Sequence, residues 1–481
     1  MTASSPVLRW LIASLALALT LQSATGAWNV TTHRGRSYVS VGDVAKFYGM
    51  GAERSGDGFV LARDGLELRC RKGSKAITIN RIPFYMSYPV VSWGKSALVS
   101  VFDVTNLIDV VLRPPSQSEP RTLKTVVIDP AHGGGEAGLA GASTDEKTVM
   151  WEIARQLQAS LADLGFEAIL TREGDASVGA PERAGVANAP GGETAFVSLH
   201  ATPGDSTYKG GLEAYTLSPA GTPSTYDPED TKPDLKYYLG NLHEQENMAL
   251  ATAVYGAVAG ATSAPGNGIK RARYETLRKV KVPGIVFRLG SIGGSYDITD
   301  AGYQKKLVEG LASGIKRYAG YLAHAAREQK DADPPVLSIS EFVSHEEPMS
   351  PEGGGEDGEI EVIEARITAA ENAKVDPRNV EVQVYAFDVV DGEFLEPSAC
   401  DEPVVEWISV LPDWTTSPVE AVRVHYSRPA PTNEEVRALG ERQFFGHVLR
   451  VVYAGKFADA ASEPARLDRV LHQFYPVRSG R

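Results

Sequence analysis

An α/β fold, a mixed sheet flanked by helices, is predicted for the centre of this 481-residue chain. Three patterns predict it. From Lys124 onward, short apolar runs alternate with stretches whose apolar residues recur near the helical period. Gly-rich loops follow the strand-like runs. On either side the pattern changes to short alternating segments separated by turn residues. Domains of roughly 100 to 200 residues suggest two to four folded units. The expected organisation is a signal at 1–27, a small α+β module at 28–113, a linker at 114–121, the α/β domain at 122–327, a second linker at 328–359 and an immunoglobulin-like β-sandwich at 360–477.

At the N-terminus Arg9 precedes an apolar run from Trp10 to Leu21, followed by Ala24-Thr25-Gly26-Ala27. This is the layout of a cleavable secretory signal, so the chain is expected to be exported to a periplasm, cell envelope or exterior, with cleavage near Gly26 or Ala27. The run is short of the ~20 residues a membrane-spanning helix needs, so no stable membrane insertion is expected after cleavage. Cys70 and Cys400 are far apart, so no disulfide framework is expected, and neither follows the signal as a lipid anchor would require. The net charge of -13 argues against nucleic acid, which is bound by clustered Lys and Arg, and is otherwise the charge of a soluble protein.

Residues 28–113 contain an internal repeat. Val39-Ser40-Val41-Gly42-Asp43-Val44 recurs as Val99-Ser100-Val101-Phe102-Asp103-Val104, and each copy runs into a short apolar helical pattern. With Gly73-Ser74-Lys75-Ala76-Ile77-Thr78-Ile79-Asn80 between the copies, the arrangement resembles the copper amine oxidase N-terminal-like domain. The resemblance implies a wall-binding or positioning module, or a spacer.

Pro114-Pro115-Ser116-Gln117-Ser118-Glu119-Pro120 reads as a linker. Beyond it a buried strand is expected at 125–128, then a helix carrying Val149, Ile153, Leu157, Leu161 and Leu164 on one face. Strands at 166–171, 195–199 and 212–216, with a short helix from Pro181, continue the alternation. A polar, Pro-rich insertion at about 218–239 is too long for an ordinary connection and reads as a functional or partly mobile loop. A helix at 245–258, a strand at 285–289 and an amphipathic helix at 303–327 close the domain. The acidic, Gly-rich stretch 346–359 reads as linker or long loop. Strands are then expected at 360–367, 380–387, 421–426 and 448–453.

Ligands of such folds bind beyond the carboxyl ends of the strands, and three residues stand there. His132 follows the first strand in Ile128-Asp129-Pro130-Ala131-His132-Gly133-Gly134, Glu146 opens the first helix, and His200 ends a strand in Val197-Ser198-Leu199-His200-Ala201. Taken singly they read as a loop histidine, a favourable charge at a helix N-terminus and a core histidine. Together, two imidazoles and a carboxylate are a known zinc set that leaves one coordination position open, as catalysis requires.

Their order and setting resemble those of the zinc-dependent N-acetylmuramoyl-L-alanine amidases. Leu170-Thr171-Arg172, Glu182-Arg183, Ala187-Asn188, Gly268-Ile269-Lys270-Arg271-Ala272, Leu277-Arg278 and Pro283-Gly284-Ile285-Val286 fit the same family order. The resemblance implies zinc held by His132, Glu146 and His200, peptidoglycan as substrate, and hydrolysis of the amide between muramic acid and L-alanine. It also implies a glutamate as general base just before the Leu-Gly of Val286-Phe287-Arg288-Leu289-Gly290, where this chain has Arg288. At an effective dielectric of ~20, a guanidinium about 5 Å from a doubly charged ion is repelled by roughly 6 to 7 kcal/mol before relaxation. A lost base costs ~10²- to 10⁴-fold in rate. Ala131, where the family usually has Gly, is a second departure, expected to strain the loop.

Three readings follow. A working amidase would take its base from elsewhere, with Glu213, His243, Glu244 and Glu246 as candidates. A catalytically silent relative would bind peptidoglycan, with Arg288 recognising a substrate carboxylate. A regulator of a true amidase would use the flanking modules to dock.

Overall fold

The computed structural model describes residues 29–114, 122–141, 143–203, 210–228, 231–293, 296–330, 335–348, 358–408, 414, 417–429 and 433–475. The expected signal and most of the linker at 114–121 lie outside the described residues. The described chain divides into two compact units, one ending at the close of the long helix near residue 330 and the other beginning just after it.

The first unit opens with β1 (Thr31–His33), β2 (Arg36–Ser40) and helix α1 (Val41–Phe47). Strands β3 (Gly51–Ser55), β4 (Gly58–Arg63), β5 (Leu66–Arg71), β6 (Ala76–Ile79), β7 (Ile82–Tyr85), β8 (Val91–Trp93) and β9 (Ser96–Ser100) follow. The sequence repeat is a structural one. The two copies pair with each other, Val39 opposite Val99, and each uses its serine as a helix N-cap: Ser40 accepts from the Asp43 N–H and Ser100 from the Asp103 N–H.

The α/β part contributes β10 (Thr125–Pro130), helix α2 (Glu146–Asp163), β11 (Glu167–Leu170), helix α3 (Ala180–Asn188), β12 (Thr194–His200) and β13 (Leu212–Leu217). After the insertion come β14 (Tyr237–Tyr238), helix α4 (Glu244–Thr262), β15 (Gly266–Ala272), helix α5 (Glu275–Lys279), β16 (Gly284–Arg288) and helix α6 (Ala301–Lys330). The main sheet runs β11-β10-β12-β16-β13-β15-β7-β6-β5-β4-β3. Pairing is parallel from β11 through β16, antiparallel between β16 and β13, and parallel again between β13 and β15. Helices α4 and α6 cross so closely that a Cβ on Gly314 would lie 2.5 Å from the Val254 Cα, which is why this turn of α6 has no side chain.

The N-terminal region and the α/β part share one sheet. Strand β7 lies beside β15, with Phe84 opposite Ile269 and fully buried. Arg271, on β15, reaches into the N-terminal region: its Nη1 donates to Ser87 Oγ (2.6 Å) and its Nη2 to the Asn106 carbonyl (3.1 Å), with the buried Asp103 carboxylate 4.0 Å away. The insertion is tied down too. Thr225 exchanges hydrogen bonds with the Arg271 backbone, and Arg273 donates to Ser224 Oγ (3.0 Å) and lies 3.4 Å from Asp234.

In the second unit one antiparallel sheet has the order β17 (Leu337–Pro348), β18 (Gly358–Ala369), β22 (Val419–Pro429), β21 (Val404–Trp407). In another, β20 (Phe394–Pro397), β19 (Val380–Val390), β23 (Arg442–Tyr453) and β24 (Lys456–Glu463) are neighbours. Ile363, Ile367, Val422, Val424, Leu449 and Val451 from both sheets share one apolar core. The expected linker at 328–359 therefore needs correcting, because it contains the end of α6 and all of β17. A register shift between Ile339 and Glu341 breaks the alternation of β17, and its acidic outward residues conceal the strand in the sequence.

Arg271→Ala, which removes the buried cation joining the N-terminal region to β15, is expected to destabilise the first unit by about 3 to 5 kcal/mol. Chemical denaturation measures this; an unchanged midpoint would show that the joint carries no stability.

Candidate metal centre

The site is built at the carboxyl ends of β10 and β12. Asp129, near the end of β10 and 2% exposed, accepts hydrogen bonds from Thr171 Oγ1 (2.5 Å), Ser198 Oγ (2.6 Å) and Arg183 Nη1 (2.5 Å). Arg183 also donates to the carbonyls of Val178 (2.9 Å), Pro130 (2.9 Å) and His132 (2.7 Å). Arg172 adds bonds to the carbonyls of Pro130 (3.0 Å) and Lys147 (2.7 Å). Two arginines thus satisfy the backbone of the turn that carries His132 and fix the start of α2 to it. The left-handed conformation of this turn falls on His132 (φ 61°), Gly133 (137°) and Gly134 (57°), not on Ala131. The strain expected at Ala131 is absent because the turn does not require glycine there.

His132 Nε2 lies 3.3 Å from Glu146 Oε2, and His200 Nδ1 lies 3.4 Å from Glu146 Oε1. Each carboxylate oxygen takes one backbone N–H as well, Leu139 on Oε2 (2.9 Å) and Ala201 on Oε1 (2.8 Å). Burial alone would raise the Glu146 pKa, but hydrogen bonds from His132, His200 and these two N–H groups hold it far below the usual carboxylate range. The hydrogen bond to Glu146 in turn raises the His132 pKa. The three donor atoms lie within 4.8 Å of one another. Tetrahedral ligands about 2.0 to 2.1 Å from zinc stand about 3.3 to 3.4 Å apart, and each imidazole nitrogen is at that distance from one oxygen of Glu146, His132 from Oε2 and His200 from Oε1.

Gly138, which the sequence did not single out, is part of this centre. Its φ is +72°, and a Cβ there would lie 2.5 Å from the His132 ring, 2.7 Å from Glu146 Oε2 and 2.8 Å from Glu146 Cβ. The loop between His132 and Glu146 passes so close to both side chains that only glycine fits.

Arg288 ends β16, directly across from His200 on β12 and from Glu213 on β13. Its Nη1 donates to Glu213 Oε2 (3.3 Å), and its guanidinium carbon stands 5.3 Å from the centre of the Tyr215 ring. Glu213 is 2% exposed; it accepts from Tyr215 Oη (2.7 Å) on the same oxygen and from Lys270 Nζ (2.5 Å) on the other. Lys270 is equally buried and hydrogen-bonded to Tyr226 Oη, with the Tyr85 ring 5.6 Å away. Burial alone would lower the Arg288 pKa; Tyr274, Tyr215 and Glu213 outweigh it and raise it.

Of the candidate substitute bases, the structure brings only Glu213 to this face. His243 is buried and its Nε2 lies 2.8 Å from the Lys281 carbonyl, ahead of β16 and at the opposite end of that strand from Arg288. Glu244 and Glu246 open α4 beside it, where Asn247 Oδ1 accepts from the N–H of Gly284, the first residue of β16. These three are set apart from the imidazoles by the length of a strand. The sequence does not single out Lys270, Tyr215 or Tyr274 for this site; Lys270 beside Arg271 in β15 reads as a surface residue.

A mixed α/β domain with two imidazoles and a carboxylate converging at its strand ends is a metal-binding class of site. Residues 126–317 match the family model of the N-acetylmuramoyl-L-alanine amidases (Amidase_3), a family generally dependent on zinc. The chain is similar to the sporulation-specific N-acetylmuramoyl-L-alanine amidase of Bacillus subtilis, 26% identical over 197 residues covering 40% of this chain and 67% of that one. It is also similar to the probable cell wall amidase LytH of Staphylococcus epidermidis, 25% identical over 207 residues, 42% of this chain and 60% of that one. Among solved structures, the catalytic domain of the amidase CwlV from Bacillus (Paenibacillus) polymyxa var. colistinus aligns at TM-score 0.33 and 24% identity, covering 41% of this chain and 99% of that one. AmiC2 of Nostoc punctiforme aligns at TM-score 0.33 and 28% identity, covering 41% and 97%.

Gly138→Ala is expected to weaken zinc binding about 10- to 100-fold, as loss of ligand orientation does. Competition against a chromophoric chelator measures it; affinity equal to the parent would show that the loop gives way without cost.

Proposed function

We propose that residues 122–327 form a zinc-holding domain that recognises peptidoglycan at the bond between muramic acid and L-alanine and hydrolyses it slowly. His132, Glu146 and His200 would hold the ion, which when bound supplies Lewis-acid polarisation of the amide carbonyl and acidification of water. The observation that carries the reading is the place of Arg288 across the strand from His200, where the family resemblance puts the general base. A guanidinium stays protonated and cannot take a proton at neutral pH. Glu213, the carboxylate on the same face, is held by Lys270, Tyr215 and Arg288, so its lone pairs are committed.

The remaining parts have supporting roles in this proposal. The first 27 residues direct export, in keeping with a cell-wall substrate, and among the described residues no helix is long and apolar enough to cross a membrane. Arg172 and Arg183 keep His132 oriented, and Gly138 lets the loop close over the ligands.

The test follows release of L-alanine amino ends from purified peptidoglycan by the zinc-loaded protein and by Arg288→Glu. Lys270 remains to neutralise Glu213 in that variant. The variant is expected to turn over at least about 10²-fold faster than the parent. A parent with full amidase turnover, unimproved by the substitution, would overturn the assignment of Arg288.

A further inference from the structure

We propose that Arg288 is a carboxylate-binding residue beside the metal centre, and that the preferred ligand is a muramoyl peptide bearing a free carboxylate. The inference rests on the peptidoglycan reading above and names the part of the ligand that this site selects.

The unequal distances and exposure of two cations lead to it. Lys270 and Arg288 bring two positive charges to one carboxylate, Glu213, and the carboxylate favours Lys270. The Lys270 distance is 2.5 Å on Oε1, whereas Arg288 stands 3.3 Å from Oε2 and shares that oxygen with the Tyr215 hydroxyl at 2.7 Å. Lys270, 2% exposed, is sealed in against Glu213, whereas the Arg288 side chain is 27% exposed.

The guanidinium is also presented for recognition. Its Nη1 donates to Glu213 and the side chain also hydrogen-bonds with Tyr274, out of five donors in a planar fork. The Tyr215 ring supports it from one side, Tyr274 packs against Tyr215 with ring centres 5.4 Å apart, and the Tyr274 ring stands 6.4 Å from that of His200. An aromatic floor thus runs from the fork to the metal ligand. A planar cation held on a ring with its outer edge in solvent matches a carboxylate, which takes two parallel N–H bonds. A counter-ion for Glu213 is already supplied at shorter distance by Lys270, so Arg288 is the second and more exposed cation on that carboxylate.

Titration calorimetry on the zinc-loaded full chain tests this with two probes: an N-acetylmuramoyl tripeptide with free carboxylates, and the same compound with its carboxylates converted to amides. The parent is expected to bind the free form about 10- to 100-fold more tightly. Arg288→Ala should lose that preference, and Arg288→Lys should retain part of it. Equal binding of both probes by the parent, or a preference that survives in Arg288→Ala, overturns the inference and leaves the peptidoglycan reading standing. If neither probe binds the parent, the peptidoglycan reading falls and this inference falls with it.

Discussion

The arrangement around the metal centre depends on one buried carboxylate. Glu213 engages Lys270, Tyr215 and Arg288 together, and it does so from β13, the antiparallel neighbour of β16. Arg288 stands between His200 on one side and Glu213 on the other, so the direction taken by its guanidinium decides whether positive charge faces the imidazoles. Glu213 draws it toward β13. With an ion held by the three residues, this carboxylate would offset part of the several kcal/mol of repulsion anticipated between the guanidinium and a divalent charge.

The ligand set itself is held from behind. Asp129 and Arg183 form a buried ion pair at the end of β10, and the carbonyls that Arg183 and Arg172 satisfy belong to the turn bearing His132. Glu146 is fixed by two backbone N–H groups from separate loops, so neither oxygen depends on a metal for its place. Such preformed second partners are what orient metal ligands in folded proteins. The N-terminal region belongs to the same construction: Tyr85 lies against Lys270, and Lys270 donates to Glu213.

Much of this could be read from the chain. The strand-then-helix alternation, His132, Glu146 and His200 were legible because ligands in such folds follow strand ends, and the structure brings the three together. Other features were hidden for identifiable reasons. Strand β15 carries Lys270 and Arg271, which look like surface residues until their partners on β13 and in the N-terminal region are known. Strand β17 reads as linker in the sequence because a register shift and outward glutamates break its alternation. His243, Glu244 and Glu246 looked suitable as bases by type alone; their position at the far end of β16 is a fact of topology that residue spacing does not carry. The continuity of the N-terminal strands with the main sheet likewise rests on pairing between segments nearly two hundred residues apart, Phe84 with Ile269.

The central claim is that this chain holds zinc on two imidazoles and a carboxylate while an arginine at the adjacent strand end is turned away from it. Crystallography of the zinc-loaded protein at the zinc absorption edge tests it most directly. The account predicts one anomalous peak bounded by His132 Nε2, Glu146 and His200 Nδ1, with the Arg288 guanidinium hydrogen-bonded to Glu213. No peak among these three residues, or a guanidinium directed into the centre in place of the ion, would contradict it.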